Sequence, residues 1–549
     1  MLLNELYSYR DGIPSKDIIS LENKPIFKTP NSLTMKLTFT LIVLCFSLEL
    51  MAQKAGTLDK TFGDTGVVIG NYPAANTSVA IQKDGKYVAG GGTNGQFLLA
   101  RYNIDGSIDS SFGKQGIVIT NFPSGGGYNN SVAVQPDGKI IAGGLVYDIP
   151  YRHIALARYN TDGSLDLSFG INGLVDYSIE EEVNAYTQDM VLQTDGKILV
   201  AGTDDKGKGA SQQAFITRFN NDGSIDKEFG TGGTVFTNLD DVLISNIILQ
   251  NDGKILVGGT YDYLTDSKFM VLRYLPNGLT ESSFGTSGIA KEAEYSDELK
   301  TIAIQKDGSI VTGGYQGAFE APGPMKLVRF TNKGVVDSSF GKDGVVLTQF
   351  EEDAEVDKLL IQNDGKIVAA GTLNPSLDDP SFQIVRYLPA GDIDTSFGTE
   401  GSTTTSSKIM LYCTDALLQN DGKILLAGGT YTNNFAFARY LNDDKSQKQI
   451  IVQKIKHHIQ THNNAQATTL NTISIYPNPA QNVLHVEGLS SIQYTKLIII
   501  DFNGNIVMSH ELSAMNSSYD LNISSLYAGN YLLKIETNDE VVTKQFVKE

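Results

Sequence analysis

Residues 101–116 read Arg-Tyr-Asn-Ile-Asp-Gly-Ser-Ile-Asp-Ser-Ser-Phe-Gly-Lys-Gln-Gly, and this run decides the fold because it recurs. Its opening R-Y or R-F stands with Arg at 101, 158, 218, 273, 329, 386 and 439. Its closing F-G-x-x-G stands with Phe at 62, 112, 169, 229, 284, 340 and 397. A third motif, Q-x-D-G and usually Lys, stands with Asp at 84, 137, 195, 252, 307, 364 and 421. Three motifs in one order, seven times each, at steps of 50 to 60 residues, mark a repeat array of units of about 57 residues.

Each unit holds four apolar runs of strand length; in the second copy these are residues 116–121, 131–135, 139–144 and 154–160. Asp137-Gly138 joins the middle two, since Asp-Gly supplies the positive φ a tight hairpin needs. Four short antiparallel strands per unit is the pattern of a propeller blade. Runs such as Phe97-Leu98-Leu99-Ala100 are apolar on both faces, as a sheet packed between two others requires. The ends predict closure. The first copy opens at Leu58-Asp59-Lys60-Thr61-Phe62-Gly63 with no preceding R-Y, and the last stops at Arg439-Tyr440 with no following F-G. Interlocking these ends removes the exposed edges.

Eight residues after each of the first six motif arginines stands an acid, giving Arg101 with Asp109, Arg158 with Asp166, Arg218 with Asp226, Arg273 with Glu281, Arg329 with Asp337 and Arg386 with Asp394. Eight after Arg439 is Gln447, and the spare acid at the same place before Phe62 is Asp59. A buried arginine needs a carboxylate, so seven pairs are predicted, the last being Arg439 with Asp59. Their repetition in every unit points to scaffold rather than an anion-binding ring.

Alternation of strand direction puts the near-invariant Asp-Gly turns and F-G-x-x-G links on one face of the ring. The opposite face receives variable, acid-rich connections containing Glu180-Glu181-Glu182, Asp204-Asp205, Asp240-Asp241, Glu351-Glu352-Asp353, Asp378-Asp379 and residues 147–153. Variable loops on a rigid scaffold are where binding resides. The candidate binding face therefore comprises Glu181, Asp204, Asp241, Glu352 and Asp379, set against the plainer reading of a solvated acidic rim.

The formal charge of −19 repels a phosphate backbone, so no nucleic-acid partner is predicted. Only His153 of six histidines lies in the ring, which leaves little room for a histidine triad or multi-histidine metal site. No catalytic or cofactor-binding residue is assigned. Setting Gly106 as an EF-hand glycine puts Arg101 and Phe112 at ligand positions, so the N-x-D-G-S-x-D runs are turns. Ca²⁺ held by acid clusters stays open as an alternative, as does a pair of carboxylates in the channel. The primary expectation is an exported binding or structural propeller, a monomer, meeting an extracellular glycan or protein. The alternative is an extracellular hydrolase or lyase, which acids converging on the axis with raised pKa would favour, whereas acids scattered on a rim would favour binding.

The units resemble the delta-60 repeat family through R-Y-N-x-D-G-S-x-D-x-S-F-G-x-x-G and Q-x-D-G-K, over nearly all of residues 57–441. Glu281, and Ser309 in place of Lys, depart from that pattern. The resemblance implies a propeller-like fold on exported bacterial proteins and names no chemistry.

Outside the ring, residues 35–52 read as a signal peptide, with Lys36, an apolar run from Leu37 to Leu48 and a cut after Ala52. The run is too short to span a bilayer comfortably, so no transmembrane segment is predicted. Residues 1–34 form an extension upstream of what reads as the true start, Met35. Cys45 falls in the signal, leaving Cys413 as a lone small buried hydrophobe. The ring is expected over 56–441 and a polar linker over 442–470, where Lys and His are solvated. Residues 471–549 carry about seven short strands and predict a small β-sandwich. This stretch resembles the type A sorting domain of the type IX secretion system, through Tyr476-Pro477-Asn478-Pro479, Gly504, Gly529, Tyr531 and the ending around Lys544. That resemblance implies passage through the periplasm and outer membrane by the type IX machinery, to the cell surface or the medium. All told, the sequence predicts an all-β chain: a seven-bladed propeller of four-stranded blades plus a C-terminal β-sandwich.

Overall fold

The computed structural model describes residues 54–148, 150–181, 183–205, 212–237, 239–262, 267–292, 297–318, 321–375, 379–406, 410–443, 473–487, 495–501, 506–512, 518–526, 529–537 and 541–549. The signal segment 35–52, the extension 1–34, nearly all of the linker, Glu182, Asp378 and Gly504 lie outside the described residues. The chain divides into two compact units, residues 1–447 and 448–549.

The first unit is a ring of seven four-stranded antiparallel sheets. In blade 1 the strands, a to d from the axis outward, are Ala75–Ile81, Tyr87–Thr93, Gln96–Tyr102 and Ile117–Thr120. The a strands of blades 2 to 7 are Gly126–Val134, Asn184–Leu192, Val242–Leu249, Asp297–Ile304, Ala354–Ile361 and Leu411–Leu418. Strands b and c are buried almost throughout, as the two-faced apolar runs require, and their side chains form the layers between neighbouring blades. One such layer combines Val88, Phe97, Leu99 and Phe112 of blade 1 with Val132, Ile140 and Tyr159 of blade 2.

Blade 7 closes the ring with both chain ends. Val67–Pro73 pairs antiparallel with Asn434–Tyr440, with Val67 opposite Ala438, so the N-terminal strand is strand d of the last blade. Backbone bonds lace the same seam: Asp59 N to Arg439 O at 2.7 Å, Arg439 N to Gly66 O at 3.0 Å and Leu441 N to Thr57 O at 2.9 Å.

Two details depart from the sequence reading. The run after F-G-x-x-G does not open the next unit: Ile117 pairs with Ala100 and Thr120 with Phe97, making it strand d of the preceding sheet. The F-G-x-x-G segment thus joins strands c and d, and Asp-Gly joins a and b, while both stay on the face assigned to them. Residues 147–153 are not an open loop either. Their hairpin continues pairing out to Asp148 opposite Tyr151.

The second unit packs a three-stranded sheet (Ser474–Tyr476, Val483–Glu487, Ser518–Asn522) on a four-stranded one (Ile506–Leu512, Thr495–Asp501, Gly529–Thr537, Val541–Lys548). Leu484, Val486, Leu497, Ile499, Leu521, Leu533 and Phe546 fill the space between them. Alternation in these strands sends every second residue inward.

Candidate functional site

The repeated residues are consumed by the scaffold. In all seven blades the motif Arg meets its acid at 2.6 to 2.9 Å, Arg439 reaching Asp59. Its guanidinium lies over the motif Phe at 4.2 to 4.7 Å. A further N–H donates to the next blade, as from Arg101 to Thr161 O at 2.5 Å and Arg273 to Asn332 O at 2.6 Å. The Lys after Asp-Gly completes the group, with Lys86 at 2.8 Å from Asp109, Lys366 at 2.8 Å from Asp394 and Lys423 at 3.0 Å from Asp59. Burial pushes Asp109 up, but hydrogen bonds from Lys86 and Ser111 and the Arg101 charge bring it well below the usual carboxylate range. Gly106 shows why the turn beside this cluster needs glycine. It sits at φ +91°, and a Cβ there would come within 2.9 Å of the Phe62 ring of the neighbouring blade.

The two departures have visible effects. Glu281 carries one methylene too many, and its Oε2 lies 2.6 Å from Arg273 Nε without hydrogen-bond geometry. Where Ser309 replaces Lys, Asp337 has 20% of its side chain exposed, against 6–9% for Asp109, Asp166, Asp226 and Asp394.

The residues that differ between copies line the axis. Every a strand breaks register at a β-bulge near its middle, for example between Val356 and Lys358 and between Thr187 and Asp189. A bulge lets two consecutive side chains face the same side. It also brings a carbonyl against strand b, so that a Cβ on Gly371 would sit 1.8 Å from Glu355 O. The residues just past the bulges are Ser78, Ser131, Asp189, Asn246, Thr301, Lys358 and Asp415, one per blade.

These seven form a belt around the axis. Ser78 Oγ accepts from Val132 N at 3.2 Å, Asp189 from Ile247 N at 3.2 Å, Asn246 from Ile302 N at 3.1 Å, Thr301 from Leu359 N at 3.3 Å and Asp415 from Val79 N at 2.9 Å. At the remaining two seams the amide turns to its own neighbour, Ala416 N to Asp415 at 2.9 Å and Met190 N to Asp189 at 2.8 Å, and Lys358 Nζ meets the Asp415 carboxylate at 3.0 Å. Asp415 and, more weakly, Asp189 hold Lys358 above its ordinary pKa against its burial. Burial raises Asp189, which accepts from Ser131 Oγ at 3.1 Å and Asn246 Nδ2 at 2.6 Å.

Toward the variable-loop face the lining splits into two halves. On blades 5 and 6 it is ionisable: Lys300 Nζ lies 2.5 Å from Glu298, Tyr315 OH donates to Glu298 at 2.6 Å and Thr372 Oγ1 to Asp357 at 3.1 Å. Protein walls in Glu355 and Asp357, yet both keep part of their surface on the lumen. Burial lifts the Glu355 carboxyl, partly offset by Lys300, and lifts Asp357 well above the usual range with Glu355 adding to the shift. At the positions matching Glu298 and Glu355, blades 2, 3 and 7 carry Tyr128, Tyr186 and Tyr412. This half is aromatic, with Tyr128 edge-on to Tyr147 at 5.5 Å. Among the described residues, no group of three or more His, Cys, Asp or Glu is arranged to hold a metal ion.

The predicted binding-face acids are not one cluster. Asp204 is fully buried, because its strand runs to Asp205 and its carboxylate accepts from Gln213 N at 2.7 Å; it is no part of an exposed face. Glu181 is exposed and Asp241 half-buried, each on a different link between blades. Glu352 and Asp379 do come together, bridged by the Asn374 amide. Cys413 is buried, its Sγ 3.7 Å from Asp415 O, and burial pushes its thiol well up. The axial residues escaped the sequence reading. The signal that could have found them is the glycine opposite six of the seven bulges, at 144, 202, 259, 314, 371 and 428.

In the second unit Asn478 clasps the last strand, donating to Gln545 O at 3.1 Å and accepting from Val547 N at 2.9 Å. Tyr476 OH donates to Glu487. Tyr531 stacks on Phe546 at 5.6 Å, Gly529 pairs with Lys548, and Lys544 lies opposite Leu533.

A ring whose recurrent residues are all scaffold, followed in sequence by a small β-sandwich, defines a β-propeller with an appended C-terminal module. Residues 82–112, 135–169, 193–229, 250–284, 305–340, 362–397 and 419–444 match the family described as a domain of unknown function (DUF5122) beta-propeller. Residues 474–549 match the secretion system C-terminal sorting domain. The chain thus carries seven DUF5122 propeller repeats and a sorting domain that directs type IX secretion to the cell surface or extracellular space. The sorting domain meets the secretion machinery, and among the described residues no helix is long and apolar enough to cross a membrane. No curated protein matches the chain. Among solved structures it is similar to the polysaccharide lyase Uly1 (12% identity, TM-score 0.38, covering 71% of this chain and 98% of that one). It is also similar to a mutant Trypanosoma rangeli sialidase displaying trans-sialidase activity (9%, TM-score 0.33, 86% and 83%). Likenesses this distant say nothing about chemistry.

Proposed function

We propose that the chain is an exported binding propeller that takes an extracellular ligand at the variable-loop mouth of its axial channel. One observation carries this reading: the mouth is where the blades stop resembling one another. Arg, acid, Lys and Phe recur in nearly every blade as scaffold, whereas the mouth sets tyrosines on blades 2, 3 and 7 against Glu298, Lys300, Glu355 and Asp357 on blades 5 and 6. Burying unlike charges at chosen positions of a repeat costs stability, and functional sites are where that cost is met. Glu181, Asp241, Glu352 and Asp379 are spread around the rim, and rim acids suit steering of a ligand more than holding it. The test is an array of extracellular glycans and proteins probed with the full chain, with and without Ca²⁺. A ligand lost on Glu298→Gln and Glu355→Gln, and kept on substitution of the Asp-Gly face, supports the reading. A ligand indifferent to the mouth but lost on the Asp-Gly face overturns it.

A second reading has its own support. Glu355 and Asp357 are carboxyls whose pKa values are raised, beside a lysine, on the wall of a channel. A carboxyl that keeps its proton to higher pH than usual can serve as a general acid, which hydrolysis or β-elimination of a polymer uses. Turnover of an array-identified glycan, abolished by Asp357→Asn and Glu355→Gln, would establish it; binding without turnover removes it.

A further inference from the structure

Arg152 stands apart from the other arginines of the ring. The seven motif arginines each have a carboxylate within ion-pair distance, and among the described residues Arg152 has none. It lies opposite Tyr147 in the extended hairpin of blade 2, on the variable-loop face. Its guanidinium is held between two rings, 5.0 Å from the centre of Tyr147 and 4.4 Å from that of Tyr186. Its Nη1 donates to Tyr186 OH, and its backbone N donates to Asn184 Oδ1 at 3.1 Å. Nε is buried and has no acceptor. A desolvated charged donor without a partner is costly unless something supplies the acceptor. With Nη1 donating to Tyr186 and Nε enclosed by protein, the outer edge of the guanidinium is what is left to meet a ligand, held in place by the two rings.

We propose that Arg152, between Tyr147 and Tyr186, is a subsite for an oxyanion, carboxylate or sulfate, borne by a saccharide bound at the aromatic side of the mouth. It rests on the reading that the mouth is the binding site. Tyr128, Tyr147 and Tyr186 offer part-exposed ring surface of the kind that stacks on sugar C–H faces. A saccharide also spaces its charges. An acidic peptide packs its charges more densely along the chain than a uronate does, and so meets more of the repulsion of a chain with formal charge −19. The acids of blades 5 and 6 lie across the ring from Arg152, where sugar hydroxyls can donate to them.

The experiment is calorimetric titration of the full chain with four probes of matched length: an oligouronate, a sulfated oligosaccharide, a neutral oligosaccharide and an oligoglutamate peptide. The wild-type chain should bind a charged saccharide at least tenfold more tightly than the neutral one. Whichever of uronate or sulfate binds identifies the oxyanion. Arg152→Gln should lose at least tenfold, with Arg152→Lys in between because it keeps charge but not the planar fork. Arg152→Lys also serves if Arg152→Gln fails to fold. Equal binding of the neutral probe, tighter binding of the peptide, wild-type affinity in both Arg152 variants, or no binding of either charged saccharide overturns the proposal. If Glu298→Gln abolishes saccharide binding while Arg152→Gln does not, the mouth reading stands and this one falls.

Discussion

Arg439 and Asp59 are 380 residues apart in sequence, and the arginine meets one carboxylate oxygen twice, through Nε at 2.9 Å and Nη2 at 2.8 Å. Both side chains are about 3% exposed. The pair is the same Arg–acid unit found within each other blade, here assembled from the two ends of the ring. Asp59→Asn leaves a buried guanidinium without its counter-charge, so a loss of about 3–5 kcal/mol is expected in denaturant unfolding. Asp109→Asn makes a similar local defect without opening the seam. Proteolysis near residues 54–66 should therefore rise in Asp59→Asn and stay at the wild-type rate in Asp109→Asn.

The same carboxylate predicts an acid limit. Burial pushes Asp59 up, but hydrogen bonds from Thr61 and Lys423 and the charge of Arg439 bring it from 3.8 down to about 2. A folded pKa below the unfolded value means the contribution is complete above about pH 4 and is lost as pH falls toward 2, about 2 kcal/mol in all. Asp394, also near 2 with Lys366, Ser396 and Arg386 around it, adds to the same window. Melting temperature measured from pH 5 to pH 2 should fall steeply for wild type and more shallowly for Asp59→Asn.

Blade-to-blade variation supplies ready-made repairs. Ser309→Lys should place an ammonium on Asp337, the most exposed aspartate of the seven pairs, as Lys366 does on Asp394. Glu281→Asp should restore the bond angle that the longer side chain spoils at Arg273. Each is expected to raise stability by up to about 1 kcal/mol, read as a higher denaturant midpoint. A lower midpoint for both would mean that these blades are packed around their exceptions.

How much of this was legible beforehand follows from what repetition preserves. Arg, acid, Phe and Asp-Gly recur at fixed spacing, so the pairs and the closure could be read from residues such as Asp59 and Gln447. Sequence order alone assigns the four-residue strand Ile117–Thr120 to the wrong sheet, because nothing local says which neighbour a strand that short will join. Asp204 looked like a loop acid because Asp-Asp is usually solvated, and its backbone partner lies nine residues away at Gln213. The axis was hidden for two reasons. Its residues follow no single consensus across the copies, so alignment of the copies discards them. A bulge also turns Asp357 and Lys358 to the same side, against the period of two on which strand reading depends.

Lys358 tests the belt. Its ammonium answers Asp415 directly and Asp189 through space, so Lys358→Met leaves two buried carboxyls without a cation. A loss of about 3 kcal/mol or more at neutral pH is expected, shrinking as pH falls and Asp189, whose pKa burial raises, takes up its proton. In the wild type the raised pKa of Lys358 gives stability that is full below 10.5 and is lost above it, so alkaline unfolding should begin there. An unchanged alkaline midpoint in Lys358→Met would place that limit elsewhere.

Asp357 separates stability from function. Its folded pKa lies well above 3.8, so the folded chain keeps a proton that the unfolded chain gives up, and stability falls as pH rises from about 4. Asp357→Asn removes that slope. It should melt above the wild type, by a margin that is small at pH 4 and grows as pH rises above it. A substitution that stabilises a fold at a lumen-facing position marks a residue kept for something other than folding. If Asp357 serves the ligand, the stabilised variant binds its array ligand more weakly. If the variant is both more stable and equally competent, the ionisable half of the mouth is not where the ligand is held, and the aromatic half around Tyr186 must hold it alone.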